Sequence, residues 1–423
     1  MKEILRGNRA LLLGIALLML GHGLQGTLLG VRANLEAFSA TATGLVMSGY
    51  YAGLLVGSLR VPVLLARVGH VRVFAALLSL GSTTILIQAL FVDPVVWFLM
   101  RLLTGYCFAG AFIVAESWLN GSASNENRGQ LLSLYMVVQM GAMAAGQFLL
   151  NLADPGGFDL FILVSVLVSV AAVPMLLTAV AAPAAGRRGH IGLLDLYRLS
   201  PLGVAGVVGM GVANSSLFSM GPVYASEEGL SVAAIASFMA AVIMGGVVFQ
   251  IPVGRLSDRL DRRWVIAVVA LLAAIVVLPP AILPQVPNLL LYPGFFLVGG
   301  LSLPLYAVCV AHTNDFLSPD EMVGASSALI LAFGIGAAAG PTLTALTMQG
   351  LGPLGFPLFL AVVHLVLGLF AFYRMTRRST VAAADRGAYM SLPPPSPVFT
   401  PLAQESARAQ TPPTGTPAPA GAG

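Results

Sequence analysis

The chain has 423 residues, 57% of them apolar and only 9% charged, with a mean hydropathy of +0.90. Soluble domains run nearer ~45–50% apolar and ~25% charged, so a water-soluble globule is excluded. The net charge of +4 does not mark a nucleic-acid binder, because the basic residues are scattered through short breaks between apolar runs. The composition is that of an all-α polytopic membrane protein.

Lys2, Arg6 and Arg9 precede an apolar run that continues to about Val31 without an Ala-x-Ala cleavage pattern. That reads as a first transmembrane helix, not a removed signal peptide. Windows of ~20 apolar residues predict twelve spans, at roughly 10–31, 41–65, 72–92, 95–117, 131–152, 159–182, 203–224, 231–253, 264–284, 288–311, 323–348 and 354–374. With the N-terminus inside, the inner segments hold Arg67, Arg72, Arg128, Arg187, Arg188, Arg198, Arg255, Arg259, Arg262, Arg263 and the tail from Arg374, whereas Arg32 alone falls outside. The arginine asymmetry predicts both termini in the cytoplasm.

The longest internal polar connection, Pro183 to Pro201, divides the spans into two sets of six. A shift of 192 residues lays Gly53 on Gly245, Val61 on Val253 and Arg67 on Arg259, as expected of a duplicated transporter. The expected organisation is an N-terminal six-helix bundle over 1–182, a cytoplasmic linker over 183–200 and a C-terminal bundle over 201–375. A Pro/Ala/Ser/Thr-rich cytoplasmic tail over 376–423 lacks the residues to form a core.

Ionisable side chains at bilayer depth are expensive and face a bundle interior or wet cavity. His22 and Gln25, three residues apart, share a face of the first span; His22 titrates in a range useful for binding or proton relay. The bland alternative is a histidine hydrogen-bonded between helices. Arg101 lies about a third of the way into the fourth span; it is either a functional cation or one satisfied by helix carbonyls. Glu116, fifteen residues or ~22 Å further along at 1.5 Å per residue, is out of its reach and is expected to meet a loop arginine such as Arg67 or Arg128. Gly49, Gly53 and Gly57 form a small-residue stripe for close helix approach. Tyr50, Tyr51, Tyr106, Gln139, Asn214, Ser215 and Tyr306 are the remaining polar residues at mid-depth.

The segment from Gly254 to Arg263 carries six charges in ten residues: Arg255, Asp258, Arg259, Asp261, Arg262 and Arg263. As a bland reading, it anchors topology. A sharper one makes Asp258 a carboxylate that pairs with an arginine such as Arg259, or caps a helix, in one conformation only. Cys107 and Cys309 both fall inside apolar runs and read as packing residues, and no metal-ligand spacing occurs. Lys2 is the only lysine, so no phosphate-binding loop is present and no ATP-driven mechanism is available within this chain. No cofactor is expected, and no catalytic constellation marks an enzyme.

The segment Gly254-x-x-x-Asp258-Arg259-x-Asp261-Arg262-Arg263 resembles the loop signature of the major facilitator superfamily, which recurs after spans 2 and 8. In the first copy Pro62 and Ala66 stand where that signature has Gly and Asp. Arg101-x-x-x-Gly105 resembles the span-4 motif of the same superfamily. Ala115-Glu116-Ser117-Trp118, Asn127-Arg128-Gly129, Gly146-Gln147, Pro222-x-Tyr224 and Gly340-Pro341 are similar to the YcaD-like branch of bacterial permeases. The resemblance implies two pseudo-symmetric six-helix bundles in a bacterial inner membrane, working as a monomer by alternating access. It implies a cavity between spans 1, 4, 7 and 10, which favours Tyr106, Asn214 and Tyr306 as contacts beside Arg101, His22 and Gln25. It makes His364 part of a peripheral helix. Gly254, Asp258, Arg259, Arg262, Arg263 and Glu116 become a cytoplasmic gating set. Partners are a small solute, the lipid bilayer and, through His22, Arg101 and Glu116, protons. A gradient-independent facilitator, or a transport-inactive sensor or assembly protein on the same scaffold, is the alternative.

Overall fold

A computed structural model describes residues 2–122, 128–177, 191–279, 288–377 and 389. The helices, in chain order, are α1 (Lys2–Leu35), α2 (Ala40–Val68), α3 (His70–Leu90), α4 (Pro94–Ser122), α5 (Arg128–Phe148) and α6 (Asp159–Leu176). After them come a short α7 (Leu193–Leu199), then α8 (Pro201–Glu227), α9 (Val232–Arg259), α10 (Arg262–Val276), α11 (Asn288–Asn314), α12 (Pro319–Leu351) and α13 (Gly355–Met375). Ten stretches among the described residues are long and apolar enough to cross a membrane; the last of them, Gly324–Met375, contains most of α12 and the whole of α13. With α10, described over 15 residues, these make the twelve expected spans. Residues 183–190 of the linker, Asn127, and the tail apart from Thr376, Arg377 and Tyr389 lie outside the described residues.

Helix starts follow from local chemistry. The Ser39 hydroxyl accepts from Ala42 N at 3.1 Å and that of Ser231 from Ala234 N at 3.3 Å, satisfying amides that have no intrahelical partner. These two caps are 192 residues apart, the repeat distance read from the sequence. Outward faces stay apolar: Leu59 and Val366 are 58% and 59% exposed, a cost in water that disappears in hydrocarbon.

Without a hydrophobic drive between helices, close backbone approach at small residues supplies the packing. A Cβ on Gly53 would overlap the Leu102 carbonyl, and one on Gly105 that of Tyr50, so α2 and α4 cross backbone to backbone. The same crossing recurs between α9 and α11, where Gly245 meets Phe296 and Gly299 meets Val242. In the first six helices α1 packs on α5 and α6, α2 on α4, and α3 on α4 and α6. In the second set α8 packs on α12 and α13, α9 on α11, and α10 on α11 and α13, which is the same pattern of partners.

The two sets meet along α1–α8, α2–α12 and α5–α9. We call the end carrying the start of α1 and the α9–α10 turn the near end, and the opposite one the far end. Asn34 donates to Ser226 at 2.7 Å, Thr41 bonds Gln349, and Ser48 lies 2.8 Å from Thr342, each of them crossing between the sets toward the far end. Asn34 and Ser226 are themselves 192 residues apart, and so are Gly30 and Pro222, which touch where α1 crosses α8. Contacts between repeat-equivalent positions place the pseudo-twofold axis at that crossing.

Candidate central cavity

Between the two sets lies a cavity of about 1080 Å³, counted with its open side. Its wall is unequal: α1, α2, α4 and α5 supply most of it, α8 adds Asn214, Ser215, Phe218 and Ser219, and Met239 and Phe333 complete it. Tyr51 and Ser219, one from each set, both line it.

Arg101 reaches this cavity from the second turn of α4 and is 3% exposed. Its guanidinium carbon sits 4.4 Å from the centre of the Tyr50 ring, a cation–π contact that occupies one face of the group. Its Nε and Nη1 have no hydrogen-bond partner. The bland expectation, a cation satisfied by helix carbonyls, is not what the geometry shows. His22 also lines the cavity, with its ring 5.4 Å from Tyr50 and 5.3 Å from Phe108, and its Nδ1 has no partner. No Asp or Glu lines the cavity among the described residues.

The other expected contacts divide. Asn214 is in the wall, where its Oδ1 accepts from Ser302 at 3.4 Å. Ser302 in turn lies 2.9 Å from His364 Nε2, and His364 Nδ1 donates to the Leu360 carbonyl at 2.7 Å. A histidine expected to be peripheral is therefore two hydrogen bonds from the cavity. Gln25, 1% exposed, and Tyr106 are not in the wall; the Tyr106 backbone packs on Gly57. Tyr306 sits behind the wall, edge-on to Phe333 at 5.3 Å.

Two wall residues of α5, Met140 and Met143, carry no expectation from the sequence, and Gln147 carries one only through the family resemblance. Gln139, Met140, Met143 and Gln147 form one stripe on α5. Gln147 accepts from Thr27 and donates to the Gly23 carbonyl at 3.0 Å, tying α5 to α1. Their signal was a helical spacing of Gln and Met, which by itself is indistinguishable from core packing.

At the near end the charged segment folds into a network. Asp261 caps α10 by accepting from Arg263 N at 3.0 Å, and its carboxylate binds the Arg263 side chain at 2.6 Å. Asp258 accepts from Arg262 Nη2 at 3.3 Å, whereas Arg259 is exposed and outside the ion pairs of the described residues, so Arg262 takes the pairing expected of Arg259. The other side of Arg262 binds Asp315 and the Ala311 carbonyl, the latter at 2.8 Å. The backbone N–H of Tyr389 donates to Asp258 at 2.8 Å, and its ring covers Gly254 so closely that a Cβ there would clash. Glu116, fully buried, accepts from Tyr135 on α5 at 2.9 Å, while Arg67 is exposed. The Arg128 side chain lies outside the described residues.

A duplicated helical bundle spanning a membrane around one partly polar central cavity defines the protein as a secondary transporter. The family model of the Major Facilitator Superfamily matches residues 11–249 and 229–407, and the chain belongs to that family. It is 30% identical to the uncharacterized MFS-type transporter YE1530 of Yersinia enterocolitica, over 80% of this chain and 88% of that one. It is 29% identical to the uncharacterized MFS-type transporter YcaD of Escherichia fergusonii, with the same coverage. Its fold is similar to that of the nucleoside transporter NupG (TM-score 0.70, 15% identity, 88% of this chain and 99% of that one). A bacterial homologue of the human lysosomal transporter Spinster, in an inward-facing, occupied conformation, has the same TM-score of 0.70 and 15% identity, over 89% and 97% of the two chains.

Proposed function

We propose that this protein carries a small organic solute across a bacterial inner membrane by alternating access, binding it between α1, α2, α4, α5 and α8. The observation that carries the reading is Arg101: a buried cation in contact with the Tyr50 ring, with Nε and Nη1 lacking any hydrogen-bond partner, facing a cavity on the seam between two repeats. Burying such a charge without compensation costs several kcal/mol, so its persistence is explained best by a ligand that completes it. The near end holds Arg255, Arg259, Arg262 and Arg263, while Arg32 at the far end is neutralised by Glu36 at 2.7 Å; the charge bias makes the near end cytoplasmic. Hydrogen bonds across the far end support a conformation closed to the outside. The network around Asp258 and Arg262 then acts within the second repeat, as a brace for the near end of α9, α10 and α11. Energy comes from a proton gradient, with His22 as the cavity residue whose ordinary pKa lies nearest neutrality.

Alternating access is tested with Gln139→Cys, since both native cysteines are buried. A membrane-impermeant thiol reagent should reach Cys at this position from the cytoplasmic side, and from the outside only after the protein switches. Joining the far end through Asn34→Cys and Ser226→Cys should abolish labelling from outside and leave the cytoplasmic reaction intact. Labelling from one side alone in the uncrosslinked protein, under every gradient, would remove the transport cycle and favour a static scaffold.

A further inference from the structure

The charge and shape of the cavity define a narrower ligand class than the transporter reading on which this inference rests. Arg101 is the only Arg or Lys among the described residues lining the cavity, and no carboxylate among them opposes it. The guanidinium does not lose its proton in proteins, so its positive charge has to be balanced by something else. The Tyr50 ring covers one face at 4.4 Å, so the hydrogen-bonding capacity of the group lies in its plane, where Nε and Nη1 are buried without a partner. An in-plane N–H edge is the geometry that receives a carboxylate with paired hydrogen bonds.

The remainder of the wall limits what can be attached to that carboxylate. Met19, Met140, Met143, Phe112, Phe218 and Phe333 surround the site, and their thioethers and rings favour an apolar, polarisable or aromatic body. A dianion such as phosphate would bring one more negative charge than the lining arginine balances, in a region of low dielectric. Amide and hydroxyl groups at Asn214 and Ser215 offer orienting hydrogen bonds without altering the charge balance. We infer that the substrate is an organic monoanion, a carboxylate on an apolar body, held through Arg101.

Three flat molecules of nearly equal shape isolate the charge: benzoate, benzamide and benzamidine. Their binding to the full chain in nanodiscs is measured by calorimetry, with acetate and inorganic phosphate as further probes. Benzoate should bind about tenfold or more tightly than benzamide, the scale of a charge-assisted pair, and benzamidine should not bind. Acetate, lacking the apolar body, and phosphate should both be weaker than benzoate. Arg101→Gln should erase the preference for benzoate over benzamide, and Arg101→Lys should retain part of it. The ranking in the unmodified protein is decisive even if a variant fails to fold: benzamide equal to benzoate, or benzamidine tighter than either, overturns the assignment. So does an absence of benzoate binding while Gln139→Cys still alternates between sides, an outcome that leaves the transporter reading standing. Phosphate tighter than benzoate would also overturn it.

Discussion

Arg262 and Asp258 sit in one network and differ sharply in what their loss removes. Arg262 is 2% exposed and bonded to Asp315, itself 3% exposed, whereas the Asp258 side chain is 41% exposed and 3.3 Å from its arginine. Breaking a buried pair strands the remaining charge and costs ~3–5 kcal/mol, while exposed pairs contribute ~0–1 kcal/mol. Arg262→Leu should therefore lower the unfolding midpoint in detergent far more than Asp258→Asn. Equal losses would mean that Asp315 does not anchor Arg262. Asp258 was the carboxylate legible in the loop, because it stands beside its arginines in the chain. Asp315 was not, because 53 residues separate it from Arg262 and only the docking of α10 on α11 brings them together. Similarly, Arg101 could be recognised from its type and depth, but its contact with Tyr50 and the lack of a hydrogen-bond partner at its Nε and Nη1 depend on how α2 is rotated against α4.

Among the helices, glycine acts through position instead of conformation. Gly105 faces the Tyr50 carbonyl at the α2–α4 crossing, whereas Gly209 on α8 has no atom within 4 Å of where its Cβ would be. Gly105→Leu forces two backbones apart and should cost at least the ~1–3 kcal/mol of an overpacked core. Gly209→Ala has room for its methyl group and should be neutral or slightly stabilising. Thermal unfolding in one detergent compares the two, and similar losses would show that the crossing tolerates separation. The sequence stripe of Gly49, Gly53 and Gly57 was legible as a packing surface, since spacing by four residues is a local property of a helix. Its partner helix was not, because nothing along the stripe encodes which neighbour lies across it.

For the whole molecule, the cavity belongs more to one repeat than the other, although the helix pairing within the repeats is alike. The duplicated scaffold can be symmetric while its chemistry is not, with Arg101 and His22 both in the first set and Asn214, tied through Ser302 to His364, in the second. If His22 carries the coupling proton, accumulation of benzoate into vesicles should collapse when the pH gradient is dissipated. His22→Gln should then support only equilibration down the benzoate gradient. Uptake that ignores the pH gradient in the unmodified protein would leave facilitated passage.

Span number, the division into two sets, the repeat of 192 residues and the arginine-rich near end followed from the sequence by itself. Each depends on hydrophobic length, spacing or charge along a single segment, and a membrane reads those properties directly. Tertiary structure alone decided which polar side chains share the cavity: Gln139, Gln147 and Tyr50 enter it, while Gln25, Tyr106 and Tyr306 do not. Helix rotation makes that choice, and it is governed by backbone contact at glycines and by bonds such as Gln147 to Gly23, whose partners are distant in the chain.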